Sequence, residues 1–176
     1  KGNRYKSMRG AYNKFIRNHP KTTLVPYHPR DFSDCVKLYE LWQKERQTRS
    51  EDPIFQEMLI DSSRAHLVGL ANAEELGLEG SVIYVHGELK GYIFGYVLNN
   101  QIFCIIFEIA DLRFRGIAQY LFREFCRQQA SYPFINTMDD SGLENLKRVK
   151  LSYSPTEQIY SYNAFLPLNR ELAETI

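Results

Sequence analysis

Arg113, Gly116 and Ala118 stand where an apolar run, 102–109, gives way to an amphipathic run, 118–127. The first run reads as a buried strand and the second as one face of a helix, so the turn between them lies at a helix N-terminus. The opening amides of a helix have no intrahelical carbonyl, and the macrodipole leaves partial positive charge beside them. With Arg113 and Arg115 alongside, such a turn is a seat for a phosphate or pyrophosphate. The pattern R-x-x-G-x-A also occurs in ordinary strand-to-helix turns, where the glycine merely packs against its strand, so context has to decide.

Group transfer from a phosphate-bearing donor needs a base for the acceptor's proton, fixed donors for the charge that develops, and both reactants held in line. Glu108 is the candidate base, because it interrupts an otherwise apolar strand where burial raises a carboxyl pKa toward neutrality. Strand alternation puts Ile106 and Glu108 on one face and Phe107 and Ile109 on the other; an outward-facing Glu108 is the competing reading. Asp139 or Asp140 can grip an acceptor amine, although Asp140 and Gly142 also suit a helix cap and a left-handed turn position. Tyr153 can protonate a leaving thiolate or ribose hydroxyl, or fill a core position. Cys104 and Cys126 have no histidine near them in sequence, so covalent catalysis is not expected. His19, His28, His66 and His86 lack ligand spacing, and no metal is expected.

These residues need a scaffold, and 176 residues with 44% hydrophobic content, 12 Tyr and 11 Phe suffice for one compact domain with a sizeable core. Three scattered cysteines without C-x-x-C fit a reducing compartment, and a cytoplasmic location is expected. No apolar run reaches the roughly 20 residues of a membrane helix. The N-terminus is polar and basic, unlike a signal peptide, and opens on Lys rather than Met, so a longer precursor is expected. Lys1, Arg4, Lys6, Arg9, Lys14, Arg17 and Lys21 put seven positive charges and no acid into the first 21 residues of a chain whose net charge is +1. That basic arm can meet a polyanion such as tRNA or an anionic lipid surface, or can be a solvated helix face.

Periodicity predicts a helix over 3–18, a strand over 22–27, and a helix from Asp31 or Ser33 to about Arg49. A further helix opens at Pro53, followed by a shorter one over 64–76. Three strands, 81–85, 89–98 and 101–110, joined by His86-Gly87-Glu88 and Asn99-Asn100, predict an antiparallel meander. The helix after the turn runs to about Ala130, then come a strand over 134–138, a basic helix over 143–151, and a last strand over 158–166. Residues 1–21 read as a basic linking helix and 22–176 as the domain proper, with an α+β, mixed but largely antiparallel sheet flanked by helices.

Arg113, Gly116 and Ala118, with Ile109 closing the strand, resemble the acyl-CoA pyrophosphate loop of the GNAT (N-acetyltransferase) superfamily, R/Q-x-x-G-x-G/A. Asn136, Asp140, Gly142, Leu146, Lys150, Ser152, Tyr153 and Pro155 resemble a second block, the signature of the phosphatidylglycerol lysyltransferase C-terminal domain family. Phe107-Glu108 and Arg115-Gly116 match its F-E-[KR]-A and R-G positions, with Ile109 where a basic residue is common. The resemblance implies a GNAT-like sheet splayed at its fourth and fifth strands. It implies coenzyme A or acyl-CoA, or the end of an aminoacyl-tRNA, held by Phe107, Ile109, Arg113, Phe114, Arg115, Gly116, Ile117, Ala118 and Lys150. Glu108, Asp140 and Tyr153 would do the chemistry, and an N-terminal GNAT-like unit would precede this one. Two other functions remain open: a degenerate, non-catalytic GNAT unit, or a polyanion-binding module that uses the basic N-terminal helix.

Overall fold

The computed structural model describes residues 5–48, 51–160 and 162, in two compact units, Lys1–Met138 and Asp139–Ile176. In the first unit five strands form one sheet in the order β1 (Thr23–Pro26), β2 (Glu79–Val85), β3 (Glu88–Val97), β4 (Ile102–Ala110) and β5 (Phe134–Asn136). The first three pairings are antiparallel and β4–β5 is parallel, giving the mixed, largely antiparallel sheet that the sequence predicts. Both hairpin turns form as expected. His86 and Gly87 take φ of 54° and 82°, and the Asn99 side chain accepts from the amides of Gln101 and Ile102 at 2.9 and 3.0 Å.

Helices cover both faces of the sheet. On one face lie α1 (Lys6–Asn18) and α4 (Ile117–Gln128), with Phe15, Ile117, Leu121 and Phe125 packed on Ile83, Ile93, Phe103 and Ile105. The spacing of Ile117, Leu121 and Phe125 keeps one stripe of α4 toward the sheet. On the other face α2 (Phe32–Gln47) and α3 (Pro53–Ala71) bring Cys35, Leu38, Tyr39 and Leu70 onto Val82, Tyr92, Phe94 and Ile109. A Phe in this setting is worth about 3–5 kcal/mol against alanine, so the two clusters dominate the unit's stability.

Three sequence expectations differ in detail. The helices expected from Pro53 and over 64–76 are joined into α3, which Asp52 caps by accepting from the Ile54 amide at 3.0 Å. Nothing between them breaks the helix, and Ser62 instead takes a 2.9 Å hydrogen bond from the Tyr39 hydroxyl. Strand β5 ends at Asn136, whose side chain accepts from the Met138 amide and turns the chain. Of the last expected strand, 158–160 form no strand, and 161 and 163–166 lie outside the described residues. The second unit contains α5 (Glu144–Ser152). No helix among the described residues is long and apolar enough to cross a membrane.

Candidate active site

Strand β4 carries the irregularity that shapes the site. Its partners on β3 step from Phe94↔Phe107 to Gly95↔Ile105, which leaves Ile106 as an extra, bulged residue. In a regular strand Phe103, Ile105, Phe107 and Ile109 would share one face. Here Phe103 and Ile105 lie in the α1/α4 core, and Phe107 and Ile109 in the α2/α3 core. The bulge turns the strand over, and it carries Glu108, opposite Ile93, to the α4 side.

The same strand also loses its parallel neighbour. Pairing with β5 runs only from Ile102↔Phe134 to Cys104↔Asn136, so the last six residues of β4, 105–110, have no strand on that side among the described residues. This is the splay between the fourth and fifth strands. Glu108 stands half-buried in the freed stretch. Burial, and then the Glu108 carboxylate, push the Cys126 thiol on α4 up to about 12, which keeps it protonated and rules it out as a nucleophile at neutral pH.

The turn after β4 is locked from within. Asp111 is buried, its amide donates to the Lys90 carbonyl at 2.8 Å, and its carboxylate receives Arg113 twice, Nε at 2.8 Å and Nη2 at 2.6 Å. The Arg113 amide donates to the same carboxylate at 3.2 Å. The Arg113 guanidinium holds the Asp111 carboxyl below the usual carboxylate range. Arg113 is therefore a strut of the turn as much as a free cation, whereas Arg115 is exposed. Gly116 takes φ of 96° and is buried against α1: a Cβ there would lie 2.4 Å from the Ala11 carbonyl oxygen. The Phe114 ring packs edge-on against His19 at 5.3 Å with Lys90 over it at 5.7 Å.

Among the opening amides, Ile117 N donates to the Phe114 carbonyl and Tyr120 N to Gly116. The amides of Arg115, Gly116, Ala118 and Gln119 take no backbone carbonyl among the described residues. Arg115 is exposed, Ala118 and Gln119 are half-buried and Gly116 is buried, which leaves the first three as the candidate donors. The Ile117 and Ile109 side chains are core, and Phe107 is partly buried against the α2/α3 core. Phe107 fills the space that Gly69 leaves in α3 and stacks on His66 at 4.2 Å. His66 is itself buried and meets the Tyr92 hydroxyl at 2.8 Å, and burial drives its pKa down to about 3.

Helix α1 buttresses the turn through α4. The Tyr12 hydroxyl donates to Glu124 at 2.5 Å, the Tyr12 and Tyr120 rings stack at 5.6 Å, and Arg123 lies 4.2 Å over the Tyr12 ring. Two cavities lie elsewhere in the first unit: one of about 300 Å³ beside Leu24, Tyr120 and Arg127, and one of about 650 Å³ beside Tyr27, Leu70 and Gly80.

In the second unit, consecutive Asx turns build the approach to α5. Asp139 accepts from the Ser141 amide and Asp140 from the Gly142 amide, each at 3.0 Å, while Ser141 and Gly142 take φ of 52° and 70°. Asp140 is thus bound into a turn rather than capping α5, whose N-cap is Leu143. The Lys150 ammonium donates back to the Asp139 carbonyl and closes the loop. Tyr153 is half-buried at the end of α5. Asp111 is the residue that sequence reasoning passed over. Its signal was an Asp two residues before an Arg in a turn, the spacing at which Asx side chains bond to the backbone.

Mixed strands, helices on both faces, a β4 bulge and a β4–β5 splay feeding a glycine turn together define a GNAT-type domain. The chain belongs to the phosphatidylglycerol lysyltransferase, C-terminal family, whose model matches residues 1–165. It is similar in structure to a conserved protein of unknown function from Bacteroides thetaiotaomicron, with 29% identity and a TM-score of 0.78 over 89% of this chain and 52% of that one. The chain thus spans about half the length of that protein. A ribosomal-protein-alanine N-acetyltransferase from Brucella melitensis shares the fold at 16% identity and a TM-score of 0.56, over 82% of this chain and 99% of the other. A possible acetyltransferase from Clostridium difficile does so at 16% and 0.57, over 84% and 98%. Among curated proteins none matches. Family and fold together support acyl or aminoacyl transfer in general.

Proposed function

We propose that the chain is an acyl- or aminoacyltransferase unit that takes an acyl group from a coenzyme A thioester or an aminoacyl-tRNA and passes it to an amine or hydroxyl. The carrying observation is the continuity of the splay with the turn: β4 loses its β5 partner at Cys104 and runs directly into the free amides of Arg115, Ala118 and Gln119. A phosphate-bearing donor would place its anion on those amides, with Arg115 supplying charge and Arg113, pinned by Asp111, holding the turn. The donor's acyl arm would extend along the freed edge of 105–110, where main-chain groups offer it hydrogen bonds of the kind a strand would make.

Glu108 is the proposed base, because it is the one carboxylate on the freed stretch of β4 and stands half-buried on the α4 side of the sheet. Attack by the deprotonated acceptor on the donor carbonyl forms the new C–N or C–O bond and expels the thiolate or the ribose oxygen. Asp140, Lys150 and Tyr153 are proposed site residues on the family resemblance alone, to be tested singly by substitution. Helix α1 would link this domain to a preceding GNAT-like unit, and a cytoplasmic setting, where such donors are made, goes with this reading. Calorimetric titration with acetyl-coenzyme A and with an aminoacyl-tRNA mimic tests donor binding. Glu108→Gln should leave that binding within about twofold while lowering turnover at least 100-fold; turnover that survives the change removes Glu108 from the mechanism.

A second reading rests on α1, whose Lys6, Arg9, Lys14 and Arg17 are all exposed while Tyr12 and Phe15 face the body. As a polyanion-binding face it would hold RNA by charge, and binding would weaken steeply with salt. Reversing Lys6, Arg9, Lys14 and Arg17 to Glu should abolish RNA retention yet leave coenzyme A binding intact.

A further inference from the structure

We propose that His19 and His86 form a two-histidine site for a borderline divalent cation such as Zn²⁺ or Ni²⁺, joining the end of α1 to the β2–β3 turn. The proposal is independent of the transferase reading. His19 Nδ1 and His86 Nε2 lie 3.3 Å apart, although 67 residues separate them in the chain. As a hydrogen bond between imidazoles that contact is long, N–H···O bonds spanning roughly 2.7–3.2 Å. Two imidazole nitrogens, each about 2.0–2.1 Å from one tetrahedral ion, stand about 3.3–3.4 Å apart. The rings meet edge-on, with centroids 5.4 Å apart and planes at 72°, so both nitrogens face the same gap rather than stacking.

Both ligands are held in place before any ion arrives. The His19 ring is flanked by Phe15 at 5.1 Å and Phe114 at 5.3 Å. His86 sits in the hairpin with φ of 54°, a left-handed position where a side chain other than Asn or Gly is uncommon and strained. Strain retained at a turn that Asn-Gly would satisfy is a reason to look for a function of the imidazole. Glu88, whose carboxylate feels His86, is paired with Lys90 at 2.6 Å. His86 is exposed, so water can complete the coordination shell. No group of three or more His, Cys, Asp or Glu among the described residues is placed to hold a metal, so this is a two-ligand site and a weak one. Neutral imidazole is the ligand type that Zn²⁺ and Ni²⁺ favour.

The test is calorimetric titration of the whole chain with ZnCl₂ and with NiCl₂, alongside thermal unfolding. About one equivalent should bind, and at a hundred times the dissociation constant Tm should rise by about 5 °C. His19→Gln and His86→Gln should each abolish both effects, and His28→Gln should keep them. Binding that survives either of the first two replacements, or an absence of saturable heat in the unmodified chain, overturns the proposal. Should His19→Gln disturb the packing of α1, His86→Gln in its exposed turn decides alone.

Discussion

Two turns of this molecule are written in similar letters and folded to different tolerances. Each runs from an aspartate to a glycine of positive φ and opens a helix: Asp111 to Gly116 before α4, and Asp140 to Gly142 before α5. At Gly142 a Cβ would meet nothing within 4 Å, whereas at Gly116 it would strike the Ala11 carbonyl at 2.4 Å and Phe15 at 3.1 Å. At Asp111 the carboxylate is buried and carries a bidentate arginine; at Asp140 it accepts the Gly142 amide. Gly142 is therefore explained by backbone angle alone. Gly116 answers to angle and to a packed helix together, as a turn must when other elements converge on it to fix its amides in space.

The sharpest way to break this contrast is the pair Gly116→Ala and Gly142→Ala. The first adds a steric conflict to the left-handed backbone and should cost at least about 3 kcal/mol, and the second about 1 kcal/mol, by urea denaturation. Equal losses would mean that α1 gives way and that the packing at Gly116 is incidental. Next in size is Asp111→Asn, expected to cost about 1–3 kcal/mol through the lost charged hydrogen bonds, against under about 1 kcal/mol for Asp140→Asn. The sign of the pH effect separates them further. The Asp111 carboxyl is held low in the folded state, so its contribution is full above the ordinary carboxylate pKa and fades as pH falls through the lowered value. The stability gap between the unmodified chain and Asp111→Asn should therefore narrow below about pH 4.

Smaller again is a division of labour between two arginines. Arg115→Ala should weaken coenzyme A binding about tenfold with little change in Tm, whereas Arg113→Ala should lower Tm as well, having lost the Asp111 partner. Identical profiles for the two would contradict the assignment of Arg113 as a strut. The smallest effect is expected from Lys150→Met, which frees the Asp139 carbonyl and should cost under about 1 kcal/mol.

Much of this scaffold was legible from pattern. The stripe Ile117, Leu121 and Phe125 announces α4, and Asn99-Asn100 and His86-Gly87 announce the hairpins, because turn chemistry and helical spacing are local. The face of β4 was only half legible. Pairing Phe107 with Ile109 is right, yet the run 102–107 is apolar throughout, so no alternation marks the Ile106 bulge that assigns Glu108 to the α4 side. The glycine turn that opens α4 was visible in Arg113, Gly116 and Ala118. The grip of Asp111, the pressure of Ala11 on Gly116 and the meeting of His19 with His86 were not, since each depends on contacts that only the folded chain creates.

Amide-resolved NMR of the ¹⁵N-labelled chain, titrated with coenzyme A and then with a 3′-aminoacyl adenosine, tests the central claim most directly. The largest shifts should fall on Arg115, Ala118 and Gln119, saturating together at about one equivalent of whichever donor is correct. Shifts confined to other parts of the chain, or none with either compound, would contradict the account.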